Sequence, residues 1–176
     1  MSNFTSIKIS KREVSEKSTF NIASEAVCAL LGSGLTFSSA ESCTGGLIGG
    51  AITAVSGSSS VYMGGIITYT NDIKINVLGV EEELIEKYTE VSEAVARSMA
   101  HNVKEKLCSD IGVSATGYAG PTGGNANDPV GTVYIGIAAD NRSDVYRLSF
   151  FDGASRDEIR RLCVEFVLQK LIALCP

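Results

Sequence analysis

Along the chain, apolar positions switch between helical spacing and short β-rich runs. Phe20, Ala23, Val27, Leu30 and Leu31 recur at helical intervals, with Gly32 and Gly34 following, which predicts a helix ending there. Leu35 to Ala40 reads as a strand, Thr44 to Val55 as a helix of small residues, and the Ser56-Gly57-Ser58-Ser59-Ser60 cluster as a loop. Gly64 to Thr70 is a second strand. Asn71 or Asp72 is placed to cap a short helix from Ile73 to Leu78, and Glu81 to Tyr88 looks helical. Ser92 and Glu93 open a longer helix carrying Val95, Met99, Val103 and Leu107 at spacings of four. Ile111 to Thr116 is a third strand, followed by a glycine-rich loop from Gly117 to Pro129. Val130 to Ala139 and Val145 to Phe151, joined by Asp140-Asn141-Arg142-Ser143, predict an antiparallel hairpin. The last helix starts near Ser155 and aligns Ile159, Leu162, Cys163, Phe166, Val167, Leu171 and Leu174 on one face.

Strands alternating with helices predict right-handed crossovers, which make the first three strands parallel. With the hairpin added, the expected fold is a three-layer α/β/α sandwich on a mixed, mostly parallel sheet of about five strands. No repeat or linker divides residues 20–176, read as one domain. Residues 1–19 mix Lys8, Lys11, Arg12 and Lys17 with Glu13 and Glu16 and read as a mobile or loosely docked arm, not a signal peptide. Open α/β sheets bind ligands at the carboxyl edge of their strands. Ser42, Tyr69 with Lys74, and Thr116 with the glycine loop each follow one of the three parallel strands, so all three groups share that edge.

Composition narrows the function classes. The net charge is −5 and no basic stripe occurs, which argues against nucleic acid and acidic membranes as partners. No apolar run approaches the ~20 residues of a membrane span. Five cysteines without a C-x-x-C pair argue for reduced thiols in the cytoplasm and against a disulfide frame or a zinc site. The sequons at Asn3 and Asn141 then carry no glycan. The loop residues Asn125, Asn127 and Asp128 lack the spacing and closing glutamate of a calcium loop, so no metal is expected.

The richest stretch chemically is Ala40-Glu41-Ser42-Cys43-Thr44-Gly45-Gly46, a strand turning into a glycine-led helix. Such a turn lifts a side chain onto the sheet rim beside helix-start amides, here Thr44 to Gly46, that can hold an anion or oxyanion. Ser42 is the candidate nucleophile there, with Cys43 its rival, since only one of two adjacent residues faces the site. The single histidine, His101, lies within a crossover helix, which disfavours a Ser-His-Asp triad. A lysine of lowered pKa is the other known base, and Lys74, near a helix start after the second strand, is the candidate. Tyr69 can donate to an oxyanion or relay a proton between Ser42 and Lys74. The Gly117 to Gly124 loop clusters glycine amides as anion sites do. Arg156, Arg160 and Arg161 crowd a helix N-terminus, against its dipole, for an anionic ligand or for salt bridges to Asp157 or Glu158.

These segments in this order (AESCTGG, GSSSVYMGGIITYTNDIK, VSEAVA, SATGYAGPTGG, DPVGTVYIGIA and SRDEIRR) resemble the CinA C-terminal domain family from about Ala23 to Leu174. Members of similar length are stand-alone nicotinamide-nucleotide amidohydrolases of the PncC type. The resemblance implies a cofactor-free Ser/Lys amidohydrolase that converts nicotinamide mononucleotide to nicotinate mononucleotide and ammonia in pyridine nucleotide salvage. It implies Ser42 as nucleophile and Lys74 as base with Tyr69 beside it. The implied pocket comprises Thr44, Gly45, Gly46, Thr116, Gly117, Gly120, Gly123, Arg156 and Arg160. It also implies a homodimer. The other class compatible with these residues is a non-catalytic nucleotide-binding module. Larger members carry an N-terminal pterin-binding-like domain to which nothing in this sequence corresponds, so that domain's activity is not expected of it. Tyr118 stands where the family's Gly-x-Ala-Gly-Pro segment has an aliphatic residue, and the N-terminal arm is longer than usual.

Overall fold

The structure, a computed structural model, describes residues 4–10, 18–140 and 142–175. A six-stranded sheet runs in the order β1-β6-β5-β4-β2-β3. Its strands are β1 (Thr5–Ile9), β2 (Phe37–Glu41), β3 (Tyr62–Ile67), β4 (Ile111–Gly117), β5 (Thr132–Ala139) and β6 (Arg142–Phe150). β5 is antiparallel to both neighbours while every other pairing is parallel, so five strands point one way. The helices are α1 (Thr19–Ser33), α2 (Leu47–Thr53), α3 (Asn71–Ile73, continued by a π-helical turn Lys74–Leu78), α4 (Glu82–Tyr88), α5 (Glu93–Lys106) and α6 (Arg156–Leu174).

The expected mostly parallel α/β/α sandwich is present, with one strand more than the sequence suggested. Part of the presumed arm, Thr5–Ile9, pairs with β6 as an edge strand, and Ile7 and Ile9 pack on the core. The arm's Lys11, Arg12, Glu13, Glu16 and Lys17, and both sequon asparagines, Asn3 and Asn141, lie outside the described residues. The short helix also differs: Thr70, not Asn71 or Asp72, caps it, accepting from the Ile73 amide at 3.4 Å. Ser155 caps α6 in a reciprocal box with Glu158.

Alternation along the strands sorts their side chains between two helical layers. Phe37, Ile111, Val113 and Ala115 face α1, α2 and α6, where they meet Leu30, Ile48, Val167 and Leu171. Ala40 faces the other layer, with Leu78, Val95, Met99 and Val103. Each such buried aliphatic contributes roughly 1.5–3 kcal/mol. On the α5 side, β4 and β5 present Gly112 and Gly136, which let the helix backbone settle close to the sheet. A Cβ on Gly112 would stand 2.0 Å from the Ala100 carbonyl oxygen, and one on Gly136 2.4 Å from that of Ala96. Ser114 Oγ uses this approach to donate to the Ala96 carbonyl at 2.6 Å.

Gly112→Ala is expected to push α5 off the sheet and cost about 2 kcal/mol, or ~6 °C in melting temperature, as read by thermal unfolding.

Candidate active site

The turn after β2 is built around a buried carboxylate. Glu41 Oε2 accepts from the amides of Gly46 (2.9 Å) and Ile48 (3.0 Å), and Oε1 from the Gly49 amide (2.9 Å). It therefore caps α2 from outside the helix, meeting donors that the helix itself leaves unpaired. Gly45 and Gly46 take φ values of 59° and 96°, the left-handed conformations the turn requires. The same turn is held to β4, where the Ser42 amide donates to the Ala115 carbonyl at 2.9 Å. From α6, Arg160 donates through Nε to the Cys43 carbonyl and through a terminal nitrogen to the Thr44 carbonyl, both at 3.1 Å.

These bonds correct the expectation for the helix-start amides. Gly46 donates to Glu41 and Gly45 to the Ser42 carbonyl at 3.1 Å, so neither amide points free into the site. The amides of Cys43 and Thr44 donate to no backbone carbonyl among the described residues and are the donors left next to Ser42.

Ser42 is buried, and its Oγ lies 3.2 Å from Lys74 Nζ. Nζ also donates to the Thr68 carbonyl at 2.9 Å. Lys74 is only 1% exposed and has no ion-pair partner among the described residues. Burial holds its pKa below the ordinary lysine value, against an upward pull from Glu90 and Cys43. The π-helical turn begins at Lys74, and the Val80 amide donates to its carbonyl at 2.9 Å, fixing the backbone from which the side chain reaches Ser42. Cys43 is different. It packs in the core below the turn, and burial pushes its thiol pKa up to about 12, so almost no thiolate forms near neutrality.

A cavity of about 250 Å³ opens over this pair. Of the residues expected at the site, Ser42, Lys74, Tyr69, Gly117, Gly120 and Arg156 line it, as does Cys43, the rival to Ser42. Tyr69 stands on the rim, 60% exposed, and its hydroxyl accepts from Arg156 at 3.3 Å. A relay through Tyr69 is not needed between groups that already touch. Arg156 also donates to the Gly120 carbonyl at 2.8 Å, tying α6 to the glycine loop. Thr44, Gly45, Gly46, Thr116, Gly123 and Arg160 shape the surrounding backbone without lining the cavity. Thr116 Oγ1, for example, donates to the Glu90 carbonyl at 2.7 Å. Arg161 pairs with Glu165 at 2.6 Å, away from the cavity. His101 is exposed on α5 beside a different groove. The polar tip of the glycine loop is engaged internally: Asn125 Oδ1 accepts from the Asn127 and Asp128 amides, and Asp128 pairs with Arg147 at 3.0 Å.

The profile of the CinA C-terminal domain matches residues 19–175. The chain belongs to the CinA C-terminal domain family. A putative competence-damage inducible protein of Alkaliphilus oremlandii is 46% identical over 137 residues, covering 78% of this chain and 33% of that protein. A CinA-like protein of Kosmotoga olearia is 45% identical over 135 residues, covering 77% of this chain and 32% of that one. The chain thus spans about a third of the length of the curated relatives it matches. Among solved structures, a competence/damage inducible protein from Agrobacterium tumefaciens superposes with a TM-score of 0.84 at 40% identity, over 89% of this chain and 94% of that one. A CinA superfamily protein from Klebsiella pneumoniae gives 0.85 at 29% identity, over 89% and 97%.

Within this CinA domain, sequence reasoning missed two carboxylates, Glu41 and Glu90. Glu41 lay inside the quoted AESCTGG stretch, but its cap reaches five to eight residues ahead, beyond the spacing of local capping signals. Glu90 precedes the Ser92 cap of α5 and lines the cavity with no periodic pattern to mark it.

Glu41→Ala leaves three amides without their acceptor, that of Ile48 buried and those of Gly46 and Gly49 partly so, which is expected to cost about 3 kcal/mol and ~6–12 °C in melting temperature by calorimetry.

Proposed function

We propose that this CinA domain is an amidohydrolase that deamidates nicotinamide mononucleotide to nicotinate mononucleotide and ammonia. The observation that carries the reading is the Ser42 Oγ to Lys74 Nζ contact of 3.2 Å, made by a buried lysine without an ion-pair partner among the described residues. A neutral amine in that position can turn a lone pair toward the Ser42 hydroxyl while still donating to the Thr68 carbonyl. Ser42 Oγ attacks the carboxamide carbon, and its proton passes to Lys74. The amides of Cys43 and Thr44 stand where the oxyanion of the tetrahedral intermediate develops, with the Tyr69 hydroxyl at the rim as a further donor.

The Lys74 ammonium returns the proton to the departing nitrogen as the C–N bond breaks, releasing ammonia and leaving an ester on Ser42. Water then attacks that ester with Lys74 again as base, and the carboxylate product leaves with the serine hydroxyl restored. Arg156 and the loop residues Gly117 to Gly120 line the same cavity, and the ribose phosphate is placed against them. Resemblance to stand-alone family members supplies the substrate; the geometry supports amide attack by serine and a lysine base.

Ammonia release from nicotinamide mononucleotide tests the reading. Ser42→Ala is expected to lose at least ~10³-fold in kcat, whereas Cys43→Ala retains turnover. Binding of the nucleotide without ammonia release by the unaltered protein would instead mark a nucleotide-binding module.

The pH profile tests the base. The reactive form of Lys74 is neutral, so kcat/KM is expected to rise with pH as Lys74 loses its proton. Because burial lowers that pKa, the midpoint of the rise falls below the ordinary lysine value of 10.5. Lys74→Arg, which stays protonated, is expected to remove the activity across the whole range.

A further inference from the structure

The cavity holds one carboxylate that the amide chemistry leaves unused. Glu90 sits between α4 and α5, half-buried, and lines the wall together with Tyr118. Its position is held from both sides. Thr116 Oγ1 donates to its carbonyl at 2.7 Å, and the Tyr118 hydroxyl approaches its Oε1 at 3.4 Å. The preceding residue, Thr89, has φ 69° and ψ 163°, a conformation otherwise almost confined to glycine and costing of order 1–3 kcal/mol. Its hydroxyl bridges that strained turn by donating to the Val91 carbonyl at 3.2 Å. No lysine or arginine among the described residues forms an ion pair with Glu90.

A part-exposed carboxylate with one long side-chain hydrogen bond and no ion pair among the described residues can take up a cationic group without giving up an existing partner. Lys74 does not serve, since it is directed to Ser42 and Thr68. The same cavity carries a guanidinium, Arg156, so that besides Lys74 its lining presents one carboxylate and one guanidinium. We propose that Glu90, supported by Tyr118, recognises a positively charged ring on the substrate, so that the site selects cationic pyridinium carboxamides over their uncharged counterparts. This rests on the amidohydrolase reading above. A nucleotide with a pyridinium at one end and a phosphate at the other matches the two lining charges, and its carboxamide then meets Ser42. Glu90 also acts electrostatically on Lys74, but that influence is the same whichever substrate is bound. The ratio between a charged and an uncharged substrate therefore isolates ring recognition.

The decisive comparison uses nicotinamide mononucleotide and its 1,4-dihydro form, which keeps the carboxamide, ribose and phosphate but has no ring charge. For the native protein, Glu90→Gln and Glu90→Asp, kcat/KM for ammonia release is measured with both, after melting temperatures confirm that each variant is folded. Glu90→Gln is expected to lower the charged-to-uncharged ratio by about tenfold or more, and Glu90→Asp to retain most of it. The same ratio is measured as Kd by calorimetry in Ser42→Ala and in Ser42→Ala with Glu90→Gln. If the native protein releases no ammonia from either compound, the amidohydrolase reading fails, and the Kd ratios still decide the role of Glu90. A ratio that Glu90→Gln leaves unchanged, in turnover or in Kd, overturns the proposal, as does failure of Ser42→Ala to bind either compound. An unchanged ratio with both substrates equally weakened would place Glu90 on the carboxamide instead of the ring, and that too overturns it.

Discussion

The site depends on how the Glu41 carboxylate satisfies the start of α2. A helix that begins directly after two glycines, with five residues between it and the strand before, leaves its first amides in need of acceptors, and unpaired donors within protein are costly. Glu41 meets three of those amides with one charged side chain from the last residue of β2. The chain between strand and helix therefore closes into a tight turn with Ser42 at its entrance. Arg160 pulls on the outside of the turn, and the Ala115 carbonyl of β4 holds the Ser42 amide. Three elements thus place Ser42 Oγ without any of them touching it, leaving the hydroxyl to Lys74 alone among described side chains.

The architecture was largely legible in the sequence because the alternation of strand and helix patterns leaves few topologies open. Where the reading fell short, the cause is local. β1 is five residues long, and its Ile7 and Ile9 alternation is flanked by charged sequence that obscures it. Helix α2 is shorter than the small-residue run suggested, because Thr44 to Gly46 are consumed in the turn. Ser42 and Lys74 were recoverable since each comes after a parallel strand, and parallel strands deliver the residues beyond their carboxyl ends to one edge of the sheet. The choice between Ser42 and Cys43 was not, for it turns on which side chain enters the core. Arg160, read as a ligand group or a salt-bridge partner of Asp157 or Glu158, donates to the carbonyls of the turn and pairs with Asp157 at 3.7 Å. Glu41 and Glu90 carry no spacing signal: one acts across a turn, the other lines a cavity assembled from five separate segments.

The electrostatics of the cavity set two demands against each other. A lysine that is to accept a proton has to be kept neutral, which burial favours and a neighbouring carboxylate opposes. Glu90 raises the pKa of Lys74, yet no ion pair joins the two. A carboxylate in contact with Nζ would hold the ammonium form and disable the base; one removed from the cavity would leave its lining wholly neutral or positive. The structure lies between these limits. Lys74 is anchored by a neutral carbonyl and a neutral hydroxyl, neither of which requires it to be charged, while Glu90 is steered by Thr116 and Tyr118 along the other wall. Cys43, directly beside Ser42, adds no competing charge because its thiol stays protonated in the core. Separation of Lys74 from the carboxylate, more than the identity of either, lets one small cavity hold a Ser42–Lys74 contact without an ion pair beside an acidic wall, which the proposed chemistry requires.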